Sequence, residues 1–322
     1  MSNPGTQHDK HDRGRDAQSP AAMPVRGWRD ALWRVKAAVS TDALSLIAAG
    51  VAFYAFLSLF PTITAILSIY GLVAEPSQVG QQIGQLQGTM PSSAVQLIQS
   101  RISALTQSDN STLGISLVVS VLIALYSASK GTGALITALN VAYDEEESRG
   151  FFKLKGFTLL LTFAGIVVMI LLLAAISLPT YLGTLGLPTW LNVIIRVIRW
   201  VLTLGLMMGM LALIYAWAPS RRRPKLRWAT SGAIVAALLW LIVSIAFSFY
   251  LGHFGSYNKT YGSAAAIVIT LTWFWLSAFF VLIGAEINAE LEGQTKRDST
   301  HGASLERGEQ GAVAADDVRD SP

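Results

Sequence analysis

The feature that most constrains this chain is a run of 31 residues, Ala43 to Val73, that contains no charged side chain. As one continuous helix it would reach about 46 Å, against a hydrocarbon core of roughly 30 Å. A stretch so apolar and so long is a membrane segment, and it must tilt, break or leave one end outside. Pro61 lacks the N–H that would bond the carbonyl of Leu57, and its ring crowds that turn, so a kinked or divided helix with its break at Pro61 is expected.

The whole chain repeats this character. Its 322 residues are 52% hydrophobic and 14% charged, with mean hydropathy +0.47, too little charge to solvate one globular surface of that size. The reading is an all-α integral membrane protein of six transmembrane helices, with short amphipathic interfacial helices. The spans fall at about 43–73, 113–139, 156–178, 192–218, 228–251 and 263–288, within a membrane domain 25–292. Residues 1–24 and 293–322 are polar, lack an apolar period, and are expected to be disordered cytoplasmic tails. The N-terminus has no apolar core or cleavage pattern of a secretory signal, so the first span is expected to act as an uncleaved anchor.

Two connecting regions carry amphipathic patterns. From Trp28 to Val39, the residues Trp28, Leu32, Val35 and Val39 share one helical face, which suits a helix lying in the membrane interface or a cap packing on the bundle. The loop 74–112 is expected to be extracytoplasmic and to hold two short helices. One opens at Pro91 and repeats Val95, Ile98, Ile102 and Leu105; the other carries Val79, Ile83 and Leu86.

Charge sets the orientation. Seven Lys and Arg lie in the N-terminal region, four between Lys130 and Lys155, five between Arg221 and Arg227 and four in the C-terminal tail. The other side carries only Arg101 and Lys259. Twenty against two is a strong positive-inside signal, and both termini of this multi-pass membrane protein are expected to be cytoplasmic. The run PSRRRPKLRW is a topology determinant in nine residues between spans, not a nucleic-acid patch.

Ionisable groups inside spans are costly and therefore informative. Arg196 and Arg199 stand three apart on one face of the fourth span; they either contact an anionic group such as a lipid head, or snorkel to outer headgroups or pair with an internal acid. Tyr257, Asn258, Lys259 and Tyr261 form a polar segment between spans five and six that could act as a gate or mouth. Lys130 and Glu286 are candidates for a buried charge pair. No cysteine exists, which excludes thiolate catalysis and Cys-ligated metals. No cofactor, metal site or nucleic-acid partner is expected, and no nucleophile, base and orienter constellation is visible.

The stretches AAGVAFYAFLSLFP, YSASKGTGALITALNVAYDEEESRGFFK and YNKTYGSAAAIVITLTWFWLSAFFVLIGAEINAE resemble the three signature regions of the YihY/BrkB family of bacterial inner-membrane proteins, over about residues 30–292. The resemblance implies six spans with cytoplasmic termini, a basic residue in the second signature at Lys130, and an acid in the last at Glu286. Where the family commonly has a Pro-Gly-Ala turn, this chain reads Thr230, Ser231, Gly232, Ala233. Family members have carried a ribonuclease label, regarded as a misassignment, and a virulence label; links to export of envelope lipids have been suggested. The ribonuclease label conflicts with a chain that lacks a metal-ligand or general-base cluster.

Two functions remain in view. One is a transporter or flippase-like protein for an anionic amphipathic envelope component, with membrane lipids as partners. The other is a non-transporting organiser that binds lipids or partner proteins. A polar path between spans one, four and six would separate them.

Overall fold

The computed structural model describes residues 13–73, 110–183, 188–253, 263–302, 305–306 and 308–317. Its helices are α1 (Val25–Thr41), α2 (Leu44–Val73), α3 (Asn110–Ala142), α4 (Phe151–Gly183), α5 (Thr189–Trp217), α6 (Leu226–His253), α7 (Ser263–Gln294) and a single turn, α8 (Val313–Asp316). Five of them are long and apolar enough to cross a membrane, or six when the bent pair α1 and α2 counts as one span. The loop expected over 74–112 lies outside the described residues, apart from the last three positions, which open α3.

The helix ends follow local chemistry. Pro188 precedes α5 as its N-cap, and α5 ends at Trp217 with Ala218 as its C-cap, just before Pro219, which has no N–H to extend the helical ladder. Pro61 does not divide the helix: α2 runs from Leu44 to Val73 with Pro61 inside it. Losing one backbone hydrogen bond is not enough to end a helix whose neighbours hold it on both sides. The sharp bend lies earlier, at Asp42 and Ala43, where α1 and α2 meet at 65°. Ala43 takes φ +50 there, a left-handed conformation that stops α1.

The six long helices form a closed ring. Each packs on the next from α2 to α7, α7 returns to α2, and a lesser contact joins α3 to α7 across the ring. All the basic loops and both described terminal segments sit at one end, called here the basic end. There the interior is filled by Leu44, Leu139, Tyr143, Leu211, Tyr215 and Leu282, each no more than 4% exposed. Outward-facing positions such as Leu46, Leu160 and Ile245 are exposed apolar residues, the pattern of a lipid-facing surface.

The closest approach joins α6 and α7. A Cβ on Gly232 would stand 1.9 Å from the carbonyl oxygen of Gly284, and one on Gly284 would stand 2.7 Å from that of Gly232. Only glycine permits this contact. Asn288 fastens the crossing: its Oδ1 accepts from the Gly232 N–H at 2.7 Å and its Nδ2 donates to the Ala229 carbonyl at 3.1 Å.

The terminal segments are not the loose tails their composition suggests. Residues 13–24 include a 3₁₀ turn, Pro20–Ala22, and are tied to the end of α7. Gln294 Nε2 donates to the Arg13 carbonyl, Thr295 Oγ1 to that of Ala17, and the Lys296 N–H to that of Arg15. After α7 the chain returns over the basic end, with the His301 N–H bonded to the Arg223 carbonyl and the Lys225 N–H to that of Ser299. Polar segments can order in this way because backbone bonds, rather than an apolar stripe, supply the contacts.

Candidate functional site

The sequence GAEINAELEGQ gives the last three turns of α7 an unusual composition for a buried helix, with Glu286, Asn288, Glu290, Glu292 and Gln294 all at most 2% exposed. Buried carboxylates must be paired or protonated, and cations arrive from two other elements. Arg34 on α1 bonds Glu290 through Nε and donates from Nη2 to Gln294 Oε1 at 2.7 Å. Arg221, following α5, grips Glu292 with both terminal nitrogens, Nη2 to Oε1 at 2.9 Å and Nη1 to Oε2 at 3.1 Å, and both side chains are 0% exposed. Ser299 Oγ also donates to Glu292. Burial alone would lower the pKa of Arg221, but Glu292, Tyr143 and Glu145 together outweigh it and raise it, so the guanidinium stays charged.

Aromatic groups complete this layer. The Arg221 guanidinium lies 4.1 Å from the centre of the Tyr143 ring, and burial pushes the Tyr143 phenol well up despite that cation. Tyr215 donates to the Val281 carbonyl at 2.7 Å, which ties α5 to α7 across the ring. The result at the basic end is a plug of packed apolar residues under a lid of buried ion pairs.

The acidic run Asp144 to Glu147, read from sequence as a solvated loop, is partly structural. Glu147 accepts from Arg149 Nε and Nη2 at 2.7 and 2.8 Å and from Asn140 Nδ2 at 3.0 Å, while Arg149 Nη2 also reaches the Ala218 carbonyl. Burial acts to raise the Glu147 pKa, yet the Arg149 and Asn140 hydrogen bonds win and hold it at about 2. Glu145 accepts from the Val313 N–H at 2.8 Å, and burial dominates there and raises its pKa.

The residues singled out from sequence are not gathered at this layer. Arg196 and Arg199 lie on α5, but their side chains are outside the described residues, as are Tyr257, Asn258, Lys259 and Tyr261. Lys130 and Glu286 are not brought together. Lys130 is exposed with its ammonium 5.0 Å from the centre of the Tyr126 ring. Glu286 is buried near Tyr143, thirteen positions further along the chain from Lys130, or about 20 Å of helix rise. α1 also differs from its expected face: Gly27, Asp30, Ala31 and Val35 are buried and Leu32 is exposed. It packs as a cap, with Ala31 and Val35 against Ile287 and Leu291.

Sequence reasoning missed the pairs Arg34–Glu290 and Arg221–Glu292. Their signal was present: three acids crowded at the end of one span, facing a dense cationic loop from another, is a pairing pattern as well as a topology signal. Among the described residues no group of three His, Asp or Glu side chains could hold a metal ion.

Comparison with known proteins agrees with this architecture. The ribonuclease-like protein YfkH of Bacillus subtilis is 32% identical over 261 residues, covering 77% of this chain and 90% of that protein. A UPF0761 membrane protein of Mannheimia succiniciproducens is 35% identical over 118 residues, covering 36% of this chain and 38% of its own. Another, from Idiomarina loihiensis, is 41% identical over 80 residues, 25% of this chain and 28% of its own. No solved structure matches. The profile of the family described as Virulence factor BrkB matches residues 35–309, and the chain is a polytopic membrane protein belonging to the BrkB family.

Proposed function

We propose that this protein is a transporter or flippase-like carrier of an anionic amphipathic envelope component in the bacterial inner membrane, with its basic end in the cytoplasm and no enzymatic activity. One observation carries the reading: in α2, α5, α6 and α7 the buried side chains gather toward the basic end. Among the described side chains, every buried residue of α5 lies at or after Leu211, of α6 at or before Ala237, of α7 at or after Ala278, and of α2 at or before Ala52. The opposite halves of these four helices keep at least part of every described side chain accessible. A ring tight at one end and loosened at the other suits one state of an alternating-access cycle.

The loosened half is also chemically suited to an amphipathic cargo. It includes Trp240 and Phe247, each in ring contact with Trp273, and Trp240 Nε1 donates to Ser277 Oγ at 3.0 Å. Arg196 and Arg199, in the α5 half away from the basic end, would meet the anionic head in this reading. The test is translocation of a fluorescent anionic phospholipid in proteoliposomes, with a zwitterionic one as the control. The expected result is protein-dependent movement of the anionic lipid, abolished by the double substitution R196A/R199A in correctly inserted protein. No movement in the wild type, or movement unaffected by the double substitution, overturns it and favours the organiser.

A further inference from the structure

A second, separate feature lies at the basic end, outside the ring. A cavity of about 670 Å³ opens where the start of α6 meets the chain that follows α7. Its wall carries Lys225, Arg227, Lys296 and Arg297, together with Trp228 and Gln310. Two of the cations are already oriented by backbone oxygens: Lys225 Nζ donates to the Asp298 carbonyl at 2.8 Å and Arg297 Nε to the Asp16 carbonyl at 3.0 Å. Among the described residues none of the four is in an ion pair. That is a different state from Arg34 and Arg221, which the fold neutralises.

Two acids also line the cavity, Asp298 and Glu306, so the four cations remain in excess. Asp298 is occupied by the Thr300 N–H and hydroxyl and by the Leu305 N–H, with Lys225 near enough to help lower its pKa. Glu306 is exposed. Lys225 and Arg227 flank the first residue of a 28-residue helix whose first turn has no acidic residue. A helix N-terminus carries partial positive charge and disfavours cations, so converging four of them there is stabilised by a bound anion. Positive-inside sorting explains cations on this side of the membrane; it does not explain their convergence from two chain segments on one cavity.

The wall also holds two buried polar atoms without a hydrogen-bond partner, Trp228 Nε1 and Gln310 Oε1, on residues 1% and 2% exposed. One is a donor and the other an acceptor. A bare phosphate would fill little of the volume, whereas cavities of this size hold ligands larger than a single ion. We infer that this cavity binds a phosphate ester that also carries a hydroxyl, either as a soluble metabolite or as the headgroup of an anionic glycerophospholipid. The cations and Trp228 take the phosphate, and Gln310 takes the hydroxyl. This site does not depend on the transport reading.

The experiment uses the full chain in detergent and in nanodiscs. Binding of glycerol 1-phosphate and of inorganic phosphate to the detergent-solubilised protein is measured by calorimetry. Thermal stability is compared in nanodiscs of phosphatidylcholine alone and with phosphatidylglycerol added. Arg227 and Lys296 are exposed, so R227A/K296A is expected to fold; K153A/K155A removes the same charge from exposed positions on α4. The expected result is binding or stabilisation in at least one arm, weakened about tenfold or more by R227A/K296A and unchanged by K153A/K155A. Glycerol phosphate binding in detergent identifies a soluble ester; stabilisation only by phosphatidylglycerol identifies the lipid head. No response in either arm, or equal loss in both double variants, overturns the site.

Discussion

Arg221 and Glu292 meet through two parallel hydrogen bonds with neither side chain exposed, and Tyr143 covers the guanidinium. Removing one partner leaves the other buried and charged, which costs far more than the pair contributes. Glu292→Ala should therefore destabilise the detergent-solubilised protein by about 3–5 kcal/mol, whereas the double change R221M/E292L should cost much less. Thermal unfolding of the three proteins reads this directly. A single variant as stable as the wild type would mean that the pair is open to water.

The α6–α7 crossing predicts a sharp contrast between two glycines. Gly232→Ala places a methyl against the Gly284 carbonyl and should cost at least about 1–3 kcal/mol as the helices part. Gly50→Ala meets nothing within 4 Å and should be neutral or stabilise by up to about 1 kcal/mol, from helix propensity alone. Similar unfolding temperatures for both variants would contradict the close approach.

The Asn140, Glu147 and Arg149 cluster predicts a pH effect with a defined sign. The folded-state pKa of Glu147 is depressed from its usual 4.5 to about 2, so its contribution is present above about 4.5 and fades as pH falls toward 2. Partial exposure keeps the amplitude small. The difference in unfolding midpoint between wild type and Glu147→Gln should shrink steadily across that window. A difference that stays constant with pH would show that the carboxylate gains nothing from Arg149.

Gln294 joins Arg34 and the carbonyl of Arg13. Gln294→Ala should loosen the chain at Arg13, costing about 1–2 kcal/mol locally, and trypsin should then cut at Arg13 faster than in the wild type. Unchanged cleavage rates would mean that the segment is held elsewhere.

The long helices were legible because a run of twenty or more apolar residues has few alternatives. Their ends were not. α4 begins at Phe151 rather than near Gly156, and α7 continues to Gln294 rather than stopping near Asn288, because a helix can leave the bilayer while hydropathy marks only the part within it. Pro61 drew attention to the wrong position: the bend falls at Ala43, whose side chain carries no sign of a left-handed backbone. The buried layer was hidden for a different reason. Glu290 and Glu292 look like solvated acids until Arg34 and Arg221 arrive, from 256 and 71 residues away in sequence, and no local pattern encodes that meeting. Arg196, Arg199 and the segment 257–261 rest on sequence reasoning alone.

The bend at Asp42 and Ala43 makes α1 and α2 a crank. One arm is bolted to α7 by Arg34 and Glu290, and Trp275 holds the elbow through the Ser45 carbonyl at 3.0 Å. The other arm is 30 residues long, about 45 Å. A swing of only about 5° at the elbow would carry its tip through about 4 Å, while the bolted arm hardly turns.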